Sequence, residues 1–181
     1  MQQPVSNKKN ARIAGILYLA VVITGMFSLL YVPGKLIDPG DAAATYQNIV
    51  TSETLFRLSI VSGLACYTFF LFLPVFLYRL LKPVNKNIAR IMVLLAVVSV
   101  PVSFINMQDK FAVLTLIKET GHFQNLSAEQ LHWQVSFYLD QYNNGIRIVS
   151  IFWGLWLFPF GYLVFKSGIL PKILGIFLML G

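Results

Sequence analysis

Long uncharged apolar stretches recur along the chain, separated by shorter segments that hold the charges. Four of them lie between flanking charged residues: 22 residues at 13–34, 21 at 58–78, and 18 each at 91–108 and 148–165. An α-helix rises about 1.5 Å per residue, so about 20 apolar residues cross a hydrocarbon layer about 30 Å thick. The apolar positions do not alternate as in a barrel strand, and lipid permits only helices or closed barrels to span it. The pattern therefore predicts an all-α fold.

The predicted architecture is a polytopic transmembrane helix bundle with at least four full spans and the start of a fifth. The last apolar stretch, ILPKILGIFLMLG, holds only about a dozen residues, which is short of a full span. We therefore expect one transmembrane helical domain that continues into a longer protein. The expected helices lie near 13–33, 54–80, 89–117, 128–166 and 170–181.

Two helix starts are predicted outside the spans. After the turn at Pro39 and Gly40, Asp41 stands where its side chain can cap a short helix. Ser127 and Gln130 have the spacing of a capping box, so the fourth long helix is expected to start there. That helix would be about 57 Å long and would extend beyond the bilayer.

Two pairs of small residues have the spacing that lets helices approach closely. Ser59 and Gly63 lie in the second span, and Ser150 and Gly154 lie in the fourth. Small residues four positions apart leave room for a neighbouring backbone. We interpret both pairs as packing sites.

Composition excludes a water-soluble globular domain. The chain is 12% charged and 57% hydrophobic, with a mean hydropathy of +0.70, whereas soluble domains carry roughly a quarter charged residues. Its partner is therefore expected to be the lipid bilayer. The chain has a single cysteine, Cys66, which lies in an apolar run. Because there is no second cysteine, an intrachain disulfide is excluded.

The charge distribution predicts an orientation. A net charge of +7 could indicate nucleic-acid binding, but the cations flank the apolar spans. The segments 1–12, 79–90 and 166–172 hold nine of the 14 Lys and Arg residues and no acid, and the rest of the chain holds all seven acids. Cytoplasmic segments are enriched in Lys and Arg. We therefore expect a cytoplasmic N-terminus and no nucleic-acid partner.

Polar side chains near the predicted outer boundary are the candidates for function, because charged groups inside a membrane are costly and mark functional sites. On the third helix one face carries Ser99, Ser103, Asn106 and Lys110 at spacings of four, three and four, and Asp109 lies beside it. On the fourth helix His132, Ser136, Asp140 and Asn144 follow at intervals of four, and Arg147 comes after them. The candidates for a polar cluster or pocket are Asn106, Asp109, Lys110, His132, Asp140, Asn144 and Arg147.

Two interpretations of this cluster remain open. Asp109 and Arg147 are at similar depth on neighbouring helices, which favours an interfacial ion pair that holds the helices together. The alternative is an outward-facing polar pocket that binds a small solute or ion. His122 and His132 have no second ligand at a metal-binding spacing, so we expect solvated histidines and no metal.

The main templates of soluble enzymes are missing from the sequence. It holds no G-x-S-x-G, Walker loop, G-x-G-x-x-G, paired cysteines or HExxH, so no catalytic residue and no cofactor is expected. A structural or accessory membrane bundle is the favoured function. A transporter or binding protein for a small solute or ion is the alternative, and the oligomeric state is open.

Several runs of residues resemble one family along nearly the whole chain. ARIAGILYL, PGDAAATYQNI, SETLFRLSIVSGL and IFWGLWLFPFGYLVFKSGILPKILGI follow in the same order as in the bacterial membrane family catalogued as domain of unknown function 4386. The resemblance implies a multi-pass protein of the bacterial inner membrane, with one more helix beyond Gly181. It implies no activity, because none is established for the family.

Overall fold

The computed structural model describes residues 4–118 and 126–180, and within these ranges the chain is helical and has no β-strand. The predicted all-α fold is confirmed, with four helical segments long and apolar enough to cross a membrane. The helices are α1 (Pro4–Met26), α2 (Val32–Leu36), α3 (Ala42–Thr51), α4 (Glu53–Leu81), α5 (Lys86–Lys118), α6 (Ala128–Ser167) and α7 (Lys172–Leu180).

The first spanning segment is not a regular α-helix throughout. A π-helical turn, Phe27–Tyr31, joins α1 to α2, and the backbone N–H of Val32 donates to the carbonyl of Phe27. This turn follows Gly25 and Met26 and precedes Pro33. π-Helical turns inside α-helices are rare and are found frequently at functional sites.

Both predicted helix starts are confirmed. The Asp41 carboxylate accepts from the backbone N–H of Ala44 at 2.8 Å and caps α3. At the start of α6, the Gln130 side chain accepts from the Ser127 N–H at 2.8 Å, and the Ser127 hydroxyl accepts from the Gln130 N–H at 3.2 Å. The 40 residues of α6 give it a length of about 60 Å, roughly twice the hydrocarbon thickness.

The helices contribute to two compact units. The first comprises Met1–Val21, Tyr67–Val102 and Ile148–Gly181. Its core contains an aromatic row in which the Trp156 ring meets Phe70 edge-on at 5.2 Å and stacks on Phe160 at 5.1 Å. Such ring pairs add about 0.5–1.5 kcal/mol each to the area they bury.

Two glycines bring α7 against α6 in this unit. A Cβ on Gly161 would lie 2.7 Å from the carbonyl oxygen of Gly175, and a Cβ on Gly175 would lie 2.7 Å from the backbone N of Phe165. The backbones therefore touch at a distance that only glycine permits. By contrast, a Cβ on Gly154 would meet nothing within 4 Å, so the predicted Ser150 and Gly154 packing site is wrong for contacts within the described chain.

The second unit comprises Val22–Cys66 and Ser103–Arg147. Here the predicted Ser59 and Gly63 packing site is confirmed: Ser59 is fully buried, and a Cβ on Gly63 would lie 2.9 Å from the hydroxyl of Ser28. Ser62 donates to the carbonyl of Thr24 at 3.0 Å. Close approach and these side-chain hydrogen bonds are the forces that hold helices together in lipid, where apolar burial contributes little.

Each of the four long helical segments exposes large apolar side chains. Large exposed side chains include Ile23 and Leu30 before α2, Val61 on α4, Ile105 on α5 and Ile151 on α6. In water such faces would aggregate, whereas in lipid they match the solvent. The chain is accordingly an integral membrane protein.

The α6 glycines provide a matched test of the α6–α7 contact. Gly161→Ala should lower the melting temperature of the purified protein, because the new methyl group overlaps the backbone of α7 and overpacking costs about 1–3 kcal/mol. Gly154→Ala should leave it unchanged or raise it, since alanine favours a helix by about 1 kcal/mol over glycine. Equal melting temperatures for the two variants would show that α7 does not pack on Gly161.

Candidate functional site

A lysine lies on the buried face of α5 in the second unit. Ser103, Asn106 and Lys110 are 1%, 9% and 3% exposed, so the polar stripe that the sequence places on this helix faces the core. Lysine is almost never fully buried in proteins unless its charge is paired. Lys110 is therefore the centre of the candidate site.

Three groups surround the Lys110 ammonium. Its Nζ donates to the carbonyl oxygen of Ser28 at 3.4 Å and to the hydroxyl of Ser59 at 3.5 Å. The same atom lies 4.4 Å from the ring centroid of Tyr142, within the range of a cation–π interaction. Four helical segments thus contribute to one charged centre: the π-helical turn, α4, α5 and α6.

One hydrogen bond between helices and one within α4 position the groups that face Lys110. The Ser28 hydroxyl donates to the carbonyl of Ser59 at 2.8 Å, and the Ser59 hydroxyl donates to the carbonyl of Phe56 at 2.8 Å. Ser28 belongs to the π-helical turn, where the regular hydrogen-bond ladder is interrupted. The turn therefore places a backbone carbonyl where Lys110 can reach it.

Asn106 fixes the opposite wall of the site. Its amide donates to the backbone carbonyl of Tyr142 at 2.9 Å. This contact requires Gly145, because a Cβ at that position would overlap the Asn106 amide. The bond therefore joins α5 to α6 at the level of the Tyr142 ring.

The charge of Lys110 is not balanced by the described residues. In 4–118 and 126–180 no carboxylate lies within ion-pair distance of Lys110, and the ion pair observed there joins Arg57 to Glu53 on α4. The two hydrogen bonds of Lys110 are also longer than the 2.7–2.9 Å typical of a charged donor. An ammonium carries three N–H donors, so the Lys110 ammonium can still donate a hydrogen bond to a further acceptor.

A small cavity lies beside the ammonium. Its volume is about 20 Å³, which holds one water-sized particle, since a water needs roughly 10–15 Å³ on this measure. The wall is mostly apolar, with Lys110, Ser59 and the exposed Asn143 as its polar members. The other lining residues are Val32, Pro33, Leu36, Ile37, Phe56, Leu139 and Tyr142.

The predicted ion pair between Asp109 and Arg147 stays a prediction. Asp109 is half-buried, and the exposed Arg147 donates to Asn144 on its own helix at 3.4 Å. Equal depth on two helices does not determine rotation, and successive helical residues point about 100° apart. The α5 face that meets α6 carries Asn106 and Lys110 instead.

The remaining candidates do not reach the Lys110 site. The half-buried His132 packs its ring against Tyr46 of α3, with centroids 4.8 Å apart. Asp140 and Asn144 are exposed, and Asn144 donates to Gln141 at 3.5 Å. Within the described ranges no group of three or more His, Cys, Asp or Glu side chains could hold a metal ion. His122 lies outside the described residues.

Comparison with known proteins identifies the family. The family model for a domain of unknown function, DUF4386, matches residues 13–181. The chain belongs to the DUF4386 family. No curated protein and no solved structure matches it.

The sequence indicated only part of the site of this DUF4386 protein. It placed Asn106 and Lys110 on one face, but it gave no role to Tyr142 and assigned Ser59 to packing alone. The periodicity of the buried α6 residues Val135, Leu139 and Tyr142 could have shown that the tyrosine faces the core. No sequence pattern marks a π-helical turn at Ser28.

The contact between Asn106 and Gly145 can be tested by a double-mutant cycle. Gly145→Ala should lower the melting temperature, because the methyl group displaces the Asn106 amide and the buried Tyr142 carbonyl loses its donor, at about 1–3 kcal/mol. Asn106→Ala should also destabilise the protein. The double variant should lose less than the sum, since the overlap is gone, and strictly additive losses would contradict the contact.

Proposed function

We propose that this DUF4386 protein binds a small solute in the pocket beside Lys110 and that the pocket is reached from the outer side of the membrane. The observation that supports this proposal is the ammonium of Lys110, which is 3% exposed, adjoins a cavity and has no carboxylate within ion-pair distance among the described residues. An ionisable residue inside a membrane is a functional candidate by default.

The energetic argument opposes a purely structural role for Lys110. Burying an ion costs several kcal/mol even after the protein relaxes, and apolar residues of similar volume are often equally or more stabilising. The structural bundle favoured by the sequence accounts for the apolar helices and their glycine contacts. A structural role does not explain the lysine at position 110, because a leucine or methionine there would fill the same space without burying a charge.

A polar surface adjoins the pocket. Asn143 lines the cavity and is exposed, and it belongs to a row of exposed polar residues on α6. Exposed apolar side chains such as Val61 on α4 and Ile105 on α5 lie elsewhere in the second unit. Such a row attracts water into an otherwise apolar zone and would lead a solute to the cavity. Its members are Asp140, Gln141, Asn143, Asn144 and Arg147.

The proposed location is the bacterial inner membrane with the N-terminus in the cytoplasm. The support is the nine cations and no acids in segments 1–12, 79–90 and 166–172, which is the bias expected of cytoplasmic segments. In this orientation the second unit and its pocket lie towards the outer side.

Replacement of Lys110 should separate binding from folding. Lys110→Met should keep or raise the melting temperature, because it removes a buried charge. It should also abolish the stabilisation that a solute gives to the wild-type protein. The measurement is the melting temperature of the purified protein in detergent with sodium chloride, sodium acetate, glycine, glucose or potassium gluconate.

Lys118→Met is the matched control for this experiment. Lys118 is on the same helix, is exposed and lies two turns away, so the same substitution should leave every solute effect intact. The contrary outcome is that Lys110→Met destabilises the protein while the wild type and both variants show the same shift in melting temperature with every solute. In that case the lysine is structural and the binding proposal is wrong.

The orientation can be tested by thiol labelling. Cysteines introduced at Glu129 and at Lys86, both exposed, should react differently with a membrane-impermeant maleimide added to intact cells. Glu129→Cys should label and Lys86→Cys should not. Cys66→Ala removes the buried native thiol from both backgrounds. The reverse labelling pattern would show that the topology is inverted.

A further inference from the structure

We infer that the ligand of the Lys110 pocket is a small monovalent inorganic anion of halide size, held against the Lys110 ammonium. This inference rests on the proposed function and names its ligand class. It depends on the sign of the charge, the donors available and the volume of the cavity.

The charges favour an anion. Lys110 is the charged residue of the cavity wall, and no carboxylate lines it. A cation in the cavity would be repelled by an ammonium a few ångströms away, in surroundings where such repulsion is only weakly screened. An anion would form the ion pair that the described residues do not supply.

The hydrogen bonds of the site lead to the same conclusion. The oxygens of Ser28 and Ser59 that face the site already accept from Lys110, at 3.4 and 3.5 Å. They are therefore not free to coordinate a metal ion as a set. The ammonium, by contrast, is held by long contacts and gains a short charge-assisted bond if an acceptor enters the cavity.

The volume limits the size of the anion. About 20 Å³ accommodates one water-sized particle, a size that favours a single-atom anion over sulfate, phosphate or a sugar. The apolar wall residues Val32, Phe56 and Leu139 offer no hydrogen bonds to the oxygens of a larger anion. A weakly hydrated halide can lie against such a wall, because a single strong contact with the Lys110 ammonium can replace its hydration.

The test compares anions at constant ionic strength and sodium concentration. Chloride and bromide should raise the melting temperature of the purified full chain by about 5–10 °C when the anion is at about 100 times its Kd. Gluconate and sulfate should not. Lys118→Met should respond as the wild-type protein does, and Lys110→Met should show no halide effect.

A second variant and a direct measurement cover the case in which Lys110→Met fails to fold. Leu139→Phe fills the cavity and keeps the lysine, so it should also remove the halide effect. In the wild-type protein the chloride NMR line should broaden on binding and narrow again when bromide competes. A chloride line that does not broaden would overturn the inference.

The outcomes distinguish the ligand class from the pocket. Equal stabilisation by halides, gluconate and sulfate would be a general salt effect and would overturn the halide assignment. If glycine, acetate or glucose acts through Lys110 and halides do not, the anion class is wrong and the pocket stands. If no solute or anion acts through Lys110, both proposals fail.

Discussion

The scarcity of partners for a charge in an apolar environment is the constraint on which the arrangement around Lys110 depends. Lipid offers no hydrogen bonds, so each polar group of a spanning helix must be satisfied by the protein or by a bound molecule. The second unit supplies a serine carbonyl, a serine hydroxyl and an aromatic ring to one ammonium. None of these neutralises it. A site that is coordinated but not neutralised can hold a ligand of opposite charge.

Small residues make this coordination possible, because they determine how near the helices come to one another. Gly63 lets Ser28 approach α4, and Gly145 leaves room for the Asn106 amide to reach the Tyr142 carbonyl. A methyl group at position 63 would displace the Ser28 hydroxyl, and one at position 145 would displace the Asn106 amide. Packing and polar chemistry are therefore properties of the same contacts, as is usual where helices associate in lipid.

The sequence predicted the helices well because their signals are local. Charge-free length identifies a span, and Asp41, Ser127 and Gln130 mark helix starts through hydrogen bonds within one turn. The site was predicted only in part. Periodicity placed Asn106 and Lys110 on one face, but the partners across the bundle depend on the rotation of each helix. For the same reason, the equal depth of Asp109 and Arg147 on neighbouring helices does not by itself determine that they meet.

The residue type at position 110 is consistent with this geometry. A lysine has a flexible four-carbon stem and a compact charge, so it can extend from α5 to the carbonyl of the π-helical turn and still lie against the Tyr142 ring. An arginine would bring a planar group with five donors, for which the mostly apolar cavity wall offers few acceptors. A regular helix through Ser28 would pair its carbonyl within its own ladder. The interrupted helix and the long, narrow cation therefore complement each other, and neither feature alone would create a charged site between these helices.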